Sequence, residues 1–359
     1  MRSRRGKPEE MSKVRPIRCA RLLFFIGLLS LGLIRVVVAS EPLPMETSFP
    51  FGLEPDFEIP KHNPMTAEKV LLGKRLFFDK NLSKDRSISC ATCHDPAQGF
   101  SNGEALAQGV AGVIGTRNVP SIVNRLLGRT QFWDGRSETL EVQALEPLFN
   151  PNEMAMDENL LIERLRTDVI YLVLFQQAFD AEPTLDGVLQ AIATFERTLL
   201  SGTTPFDKYE WNGEKMALSD SAVRGIALFR GKARCSTCHI GTNLTDEKFH
   251  NLGAGAGIGQ DDPGRAAVTK ESEDFGKFKT PTLRNVTRTA PYMHDGSLAT
   301  LEEVIAFYDR GGRPNPNLDK EIKPLQLTDA EKADLLEFLK SLTSSVVSVS
   351  PKELEELIE

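Results

Sequence analysis

Two short segments with cysteine and histidine have the clearest chemistry in this sequence. Both follow the pattern Cys-x-x-Cys-His, and their members are Cys90, Cys93, His94, Cys235, Cys238 and His239. In this pattern the two thiols add to the vinyl groups of a haem, and the adjacent histidine reaches the iron from one side. Two disulfides or a zinc site are the alternatives, but two disulfides would not explain why each pair ends in histidine. The spacing therefore predicts two covalently bound c-type haems.

The side of each iron opposite its histidine decides between electron transfer and catalysis. Strong protein ligands on both irons make an electron carrier, whereas an open position admits a small oxidant. Besides the two motif histidines, only His62, His250 and His294 remain, too few to expect histidine on both sides of both irons. His62 lies in a polar segment with proline and is interpreted as a surface residue.

The chain also repeats itself. Short echoes link residues 73–77 with 225–229, 117–119 with 284–286, and 134–141 with 295–302, the last without a gap. Self-similarity of this kind predicts two related domains, each with one haem motif. We expect a boundary near Ser201–Asp207, which gives domains at 41–204 and 205–345 and a C-terminal tail at 346–359.

Helices must position these motifs. Apolar faces predict helices around 188–199, from Val223 to a stop at Gly231, and after a capping box at Thr328. Alternating strand patterns are scarce, and long connections rich in Gly and Pro separate the helices. The predicted fold is mainly α, with two tandem c-type cytochrome domains, long irregular loops and little strand.

A further helix is predicted in the segment TLEEVIAFYDRGG, residues 300–312. Thr300 and Glu303 have capping-box spacing, and Gly311-Gly312 supplies a stop. Tyr308 lies on the apolar face of this helix, at helical spacing from Leu301.

The first 40 residues predict export. Basic side chains precede an apolar run, Leu22–Ile34, and Val38-Ala39-Ser40 offers a small-residue cleavage site. The run has about 13 residues, short of the roughly 20 that span a bilayer. A cleaved signal peptide and a periplasmic protein are expected, and an uncleaved anchor, which would bring the membrane in as a partner, is the alternative.

Removing this segment takes away nine basic and two acidic side chains. The remainder has 34 basic and 48 acidic side chains, a formal net charge of −14. This acidity argues against nucleic acid and suits cationic or small neutral partners.

Several ordered motifs resemble one family. They are Leu72–Asp79, Ile88–His94, Gln131–Arg136, Thr280–Val286 and Ala290–Gly296. Together they resemble the bacterial di-haem cytochrome c peroxidases and their relative MauG, the methylamine-utilisation enzyme, over roughly residues 60–345. The resemblance implies that peroxide reacts at the N-terminal haem and that the C-terminal haem transfers electrons.

The family places a Gln and a Glu on the distal side of the peroxide-reactive haem, at positions that match Gln131 and Glu141. A carboxylate can relay a proton between the two peroxide oxygens, and an amide can orient the peroxide. The alternative for Glu141 is a carboxylate that only begins a helix, as expected for its repeat partner Glu302.

Two departures from the electron-activated peroxidases point to the MauG-like branch. Their distal histidine position corresponds to Val110, so the first haem is expected to be five-coordinate without reductive activation. Their methionine ligand lies about fourteen residues after His294, which is Tyr308 here, as in MauG. A phenolate favours ferric and higher iron states. Met293 is the competing ligand candidate.

The resemblance implies three further assignments. His294 is expected near the second haem or between the two haems. A calcium ion between the haems would take oxygen ligands at Asn118, Thr289 and Pro291. The family's inter-haem tryptophan is not assigned here.

The sequence thus predicts a periplasmic di-haem peroxidase that reduces hydrogen peroxide at the His94 haem. Electrons would come through the His239 haem from a small redox protein, a cytochrome c or a cupredoxin. A MauG-like enzyme that oxidises a residue on a partner protein is the alternative, and a non-catalytic di-haem electron carrier is a further one.

Overall fold

Helices joined by long loops make up most of the chain, which confirms the predicted fold class. The structure is a computed structural model that describes residues 49–255 and 262–352; the predicted signal segment, 1–40, lies outside them. The helices in these ranges are α1 Ala67–Phe78, α2 Cys90–Cys93, α3 Leu140–Phe149, α4 Glu158–Thr167, α5 Val169–Phe179, α6 Leu185–Arg197, α7 Pro205–Trp211, α8 Asp220–Arg230, α9 Ala266–Thr269, α10 Leu301–Asp309 and α11 Asp329–Lys340. None of these helices combines the length and apolar character that crossing a membrane requires.

Threonine side chains begin many of these helices, because their hydroxyl accepts an otherwise unpaired backbone N–H of the first turn. Thr328 does so in a full capping box with Glu331, as predicted. At α10 the Thr300 hydroxyl accepts the Glu303 N–H, but the Glu303 carboxylate accepts the N–H of Ala299 instead of that of Thr300. The predicted capping box is therefore half formed at α10.

Two helix crossings repeat the same geometry in the two halves of the chain. A Cβ on Gly73 of α1 would lie 1.9 Å from the Ala191 carbonyl oxygen of α6, and one on Gly225 of α8 would lie 2.1 Å from that of Asp334 in α11. Only glycine allows such close backbone approach. The next core aromatic on each helix, Phe77 or Phe229, then packs toward the motif histidine of its own half.

The strands are short. β1 Leu199–Leu200 pairs antiparallel with β4 Val347–Ser348, and β2 Phe249–His250 pairs antiparallel with β3 Phe278–Lys279. The β1–β4 pair joins the end of the first half to residues set apart above as a tail. Residues 346–349, of which three are valine, are buried.

The repeat between the halves has one register from residue 124 onward. Asn124 and Asn285 both adopt left-handed backbone and begin a single helical turn, Arg125–Leu127 and Val286–Arg288. Seven residues later, Gln131 and Tyr292 begin equivalent bridges. The offset is 161 throughout, so Asn285 corresponds to Asn124. The echo between 117–119 and 284–286 therefore does not mark equivalent positions in the two halves.

Candidate functional site

One continuous cavity is lined by the histidines of both Cys-x-x-Cys-His motifs. About 2370 Å³ of it is free of protein atoms, counting the part open to solvent, and His94 and His239 both line it. Its wall is mainly apolar, with a few polar groups, as cofactor sites usually are.

Each motif histidine is oriented by a backbone carbonyl. His94 Nδ1 lies 3.0 Å from the oxygen of Phe100, and His239 Nδ1 lies 3.0 Å from that of Leu244. The carbonyl can only accept, so Nδ1 carries the proton and Nε2 keeps its lone pair for a metal. Burial lowers the pKa of both rings, which keeps them neutral. Both histidines thus have Nε2 available to bind a metal.

The four thiols of the motifs are free and half-buried. Burial raises the pKa of Cys93 to about 11 and that of Cys235 to about 12, and it raises the pKa of Cys90 further. Cys90, Cys93 and Cys235 are therefore protonated. Each cysteine pair lies next to a neutral histidine that lines the cavity. This donor set fits a c-type haem at each motif.

A zinc site fits less well. Cys238, Asp246 and His250 bring one ligand atom each within 4.8 Å of one another. His250 bonds Asp319 at 2.6 Å and Asp246 at 3.0 Å. Contact with Cys238 and these two carboxylates raises the pKa of His250 to about 10, so its ring is protonated and is a poor ligand. Cys238 is also one of the two thiols predicted to attach the second haem.

Gln131 lies in the first-half wall of the cavity and is buried. Its Oε1 accepts a hydrogen bond of 2.9 Å from Arg125 Nε. A guanidinium can only donate, so the amide oxygen faces Arg125 and the amide N–H groups are free for other acceptors. Arg125 is held in turn by two hydrogen bonds to the Glu247 carboxylate, of 2.8 and 3.1 Å.

Glu141 lies beside the cavity rather than on its wall. Its carboxylate accepts two hydrogen bonds from Arg197, of 2.8 and 3.0 Å, and one of 2.6 Å from Asn63 Nδ2. Burial raises the pKa of this carboxyl, but the bonds and charge of Arg197 outweigh it and lower the pKa overall. Leu140 and Gln143, on the same helix, line the cavity. Glu141 is therefore an ionised carboxylate with full hydrogen bonding.

Glu196 is a cavity residue that the sequence analysis missed. It lies in α6, lines the first-half wall and is 4% exposed. Its Oε2 has no hydrogen-bond partner among the residues that the structure describes. The signal was present in the sequence, because Glu196 follows Ile192 by four residues on the inward face of a predicted helix.

Tyr308 lines the second-half wall, as does Met293. Leu301, Val304 and Ile305, on the same face of α10, line it too, which agrees with the predicted inward face. Burial raises the pKa of the Tyr308 phenol, and the nearby Cys235 and Cys238 raise it further. Its hydroxyl makes no hydrogen bond within the described residues.

Val110 is in the core of the first half, away from the cavity. It is buried among α1, α3 and α4 side chains, and its N–H bonds the Glu153 carbonyl at 2.8 Å. His62 is exposed, as expected of a surface residue.

His294 lies where the halves meet. It is buried, lines the cavity and stacks on Phe278 with ring centroids 3.5 Å apart. Its carbonyl accepts the Asn118 N–H at 2.7 Å, and the Asn118 carbonyl accepts Trp133 Nε1–H at 2.9 Å. Asn118 thus connects Trp133 and His294, which are equivalent positions of the repeat.

The three residues matched to a calcium site line the same cavity: Asn118, Thr289 and Pro291. The Asn118 amide donates to the carbonyls of Glu104 and Ala105, at 2.9 and 3.3 Å. Since both of these bonds use the amide nitrogen, the side-chain oxygen stays available.

Comparisons with known proteins agree with this geometry. A family model described as di-haem cytochrome c peroxidase matches residues 67–216, and one described as cytochrome c matches residues 222–343. The methylamine utilization protein MauG of Methylorubrum extorquens is 42% identical over 299 residues, covering 82% of this chain and 84% of the relative. The cytochrome-c peroxidase IdrP1 of Denitromonas iodatirespirans is 38% identical over 358 residues, covering 90% of this chain and 95% of the relative.

Among solved structures, a MauG-like protein associated with microbial copper homeostasis matches with a TM-score of 0.77 and 34% identity. The match covers 86% of this chain and 99% of that protein. The chain is therefore an oxidoreductase with haem cofactors that acts on hydrogen peroxide. It belongs to the bacterial di-haem cytochrome c peroxidase and MauG family.

Proposed function

We propose that hydrogen peroxide reacts in the His94 pocket, and that His239 and Tyr308 would together hold the second haem, which would supply an iron able to store the oxidising equivalents. One observation carries this proposal. Among the described first-half residues that line the cavity, His94 is the only His, Met, Cys, Tyr or Lys, whereas the second-half wall contains both His239 and Tyr308. The first site thus stays open to a small oxidant.

A haem bound at each motif supplies an iron that binds peroxide or exchanges electrons. The chain supplies positioning and protons. The Gln131 amide, oriented by Arg125, offers N–H groups that can hold a peroxide oxygen. Glu141 is proposed as a proton acceptor, because it is ionised and lies next to the cavity residue Leu140 on α3.

In the second half we propose Tyr308 over Met293 as the ligand. The Tyr308 hydroxyl makes no hydrogen bond within the described residues and lines the cavity on the inward face of α10, so its oxygen is available to a metal. His294 and its stacking partner Phe278 lie between the halves and belong to the same proposal as inter-haem residues.

The electron source is also a proposal. A small cytochrome c or cupredoxin suits the acidic chain, and the MauG-like alternative is a residue on a partner protein. The identity to MauG of Methylorubrum extorquens favours the second source. The same proposal has three further parts. They are export to the periplasm, a domain boundary between residues 204 and 205, and a calcium ion held by Asn118, Thr289 and Pro291.

Titration of the ferric protein with peroxide tests the proposal. Wild type should show a high-spin component that changes with about one equivalent of peroxide per protein. Tyr308→Met should retain that reaction but shorten the lifetime of the oxidised protein and raise the second haem's potential. Tyr292→Phe, at another cavity tyrosine, is the matched control and should behave as wild type.

Two outcomes would contradict the proposal. Purely low-spin haems that do not respond to peroxide indicate an electron carrier. An unchanged lifetime and potential in Tyr308→Met would exclude Tyr308 as the ligand.

A further inference from the structure

A buried carboxyl group faces the first pocket without a partner for one of its oxygens. Glu196 is 4% exposed, and the first-half cavity wall that it lines also contains Gln131 and Arg125. Leaving a buried polar atom unpaired is costly, so such atoms in folded proteins need an explanation. A position that serves packing alone would hold an apolar residue.

In the second half, the equivalent position holds an apolar residue. The crossing of α1 on α6 places Gly73 against Phe195, and the crossing of α8 on α11 places Gly225 against Phe338. The residue after each phenylalanine is Glu196 in the first half and Leu339 in the second, and both line the cavity. The same structural position is therefore a carboxyl only in the pocket assigned to peroxide.

The charges near Glu196 are already paired. Arg197 uses two nitrogens to bind the Glu141 carboxylate, and Arg125 binds Glu247 and Gln131. Burial raises the pKa of Glu196 to about 8, the Glu141 charge adds to the increase, and Arg197 and Arg125 offset only part of it. The Cys90 sulfur is also close by and adds no charge, because it is a protonated thiol in this structure and would be a neutral thioether with haem attached. Glu196 thus keeps its proton at neutral pH while Glu141 is ionised.

We infer that Glu196 is the proton donor of the first pocket. Two carboxyl groups held in opposite protonation states are the usual arrangement of a general acid and a general base. Reduction of one peroxide to two waters takes two electrons and two protons. The donor of the proposed function supplies the two electrons. Glu141 accepts the proton of one peroxide oxygen, and the Glu196 O–H bond breaks as the O–O bond breaks, so that the Glu196 proton completes the first water. The other oxygen becomes the second water with the two electrons, the proton held by Glu141 and one proton from solvent. Solvent then returns a proton to the Glu196 carboxylate.

This inference rests on the proposed peroxide site, and its test uses haem-loaded protein with two readouts. The first is the stopped-flow rate of the peroxide-induced spectral change against pH. In wild type it should fall as pH rises through about 8. In Glu196→Gln it should be about 10²-fold slower at pH 7 and lose that pH break. Glu153→Gln, a carboxyl with raised pKa that is bonded to Asn150 and does not line the cavity, should match wild type.

The second readout is the infrared carbonyl stretch of protonated carboxyl groups. Wild type should lose one such band between pH 7 and 9, and Glu196→Gln should lack that band. Glu196→Asp should keep the carbonyl band and the pH break, and its rate should lie between those of wild type and Glu196→Gln. This variant keeps the test valid if Glu196→Gln fails to fold. Normal rate and pH dependence in Glu196→Gln would overturn the inference while wild-type reactivity leaves the proposed function standing. A wild type inert to peroxide would overturn both.

Discussion

Residues 124–149 and 285–310 pass through the same turn, bridge and helix, yet they present different side chains to the cavity. Where the second half has Val286 and Tyr292, the first has Arg125 and Gln131. The position of Tyr308 corresponds to Pro147, inside α3, whose ring has no atom able to bind iron. A few positions on one shared scaffold therefore separate the pocket that we propose to be open from the one that we propose to be closed.

The comparison also shows where the two halves depend on each other. Arg125 of the first half is held by Glu247 of the second, and both side chains are about nine-tenths buried. Because Arg125 orients Gln131, the loop that precedes His250 contributes to the geometry of the first pocket. The contrast between the two pockets can be tested by substitution. First-half residues are replaced with apolar residues or with the residue at the equivalent second-half position.

The largest effect is expected at Gln131. Gln131→Leu removes the amide that is proposed to orient peroxide, so the rate of the peroxide reaction should fall by about 10²–10³-fold, or roughly 3–4 kcal/mol in activation free energy. Stopped-flow spectroscopy at fixed pH measures it. Tyr292→Leu, at the equivalent position of the second half, should leave the rate unchanged. Equal effects of both substitutions would remove the distinction between the pockets.

Arg125→Val places in the first half the residue type found at the equivalent second-half position, Val286. The substitution leaves the buried Glu247 carboxylate with only Lys279 and a backbone N–H, so the free energy of unfolding should fall by about 3 kcal/mol. The peroxide reaction should slow as well, since Gln131 loses its orienting partner. Denaturant titration measures the first effect, with Arg129→Val, an exposed neighbour, as the control. A stability equal to that of wild type would show that the pair only fills space.

Glu196→Leu tests how much folding stability is lost by burying the Glu196 carboxyl. Below its ordinary pKa of 4.5, Glu196 is protonated in both the folded and the unfolded chain and costs nothing by ionisation. As pH rises from 4.5 to about 8, the unfolded chain releases the proton and the folded chain does not, so stability is lost across that window. The gain of Glu196→Leu over wild type should therefore grow to at most about 3 kcal/mol at pH 7. A gain that is the same at pH 4 and pH 8 would mean that Glu196 is ionised in the folded protein.

Local sequence patterns were sufficient for the motifs, the helix caps and the inward face that bears Tyr308, because each depends on residues a few positions apart. They were insufficient for the partners of Glu141. Arg197 and Asn63 lie 56 and 78 residues away, and no local period connects them. Glu196 was missed for a related reason. An inward-facing helix position is recognised in a sequence by its apolar side chain. A functional carboxyl at such a position interrupts the apolar pattern, so it is not recognised.

The smallest effect concerns the scaffold that the halves share. Gly73→Ala and Gly225→Ala each place a methyl group against a facing backbone carbonyl, at 1.9 and 2.1 Å. Each should lower the free energy of unfolding by about 1–3 kcal/mol, because helix backbones cannot separate without opening the core behind them. Denaturant titration of the two variants side by side measures the loss.

The two glycine variants also serve as controls for each other. Phe77 packs on His94 from α1 and Phe229 packs on His239 from α8, with ring centroids 6.5 Å apart in both cases. Gly73→Ala should therefore disturb the spectrum of the first haem only, and Gly225→Ala that of the second only. If either variant disturbs the spectra of both haems equally, the two halves share one core. The difference between the pockets then depends on the whole cavity rather than on the wall that each half contributes.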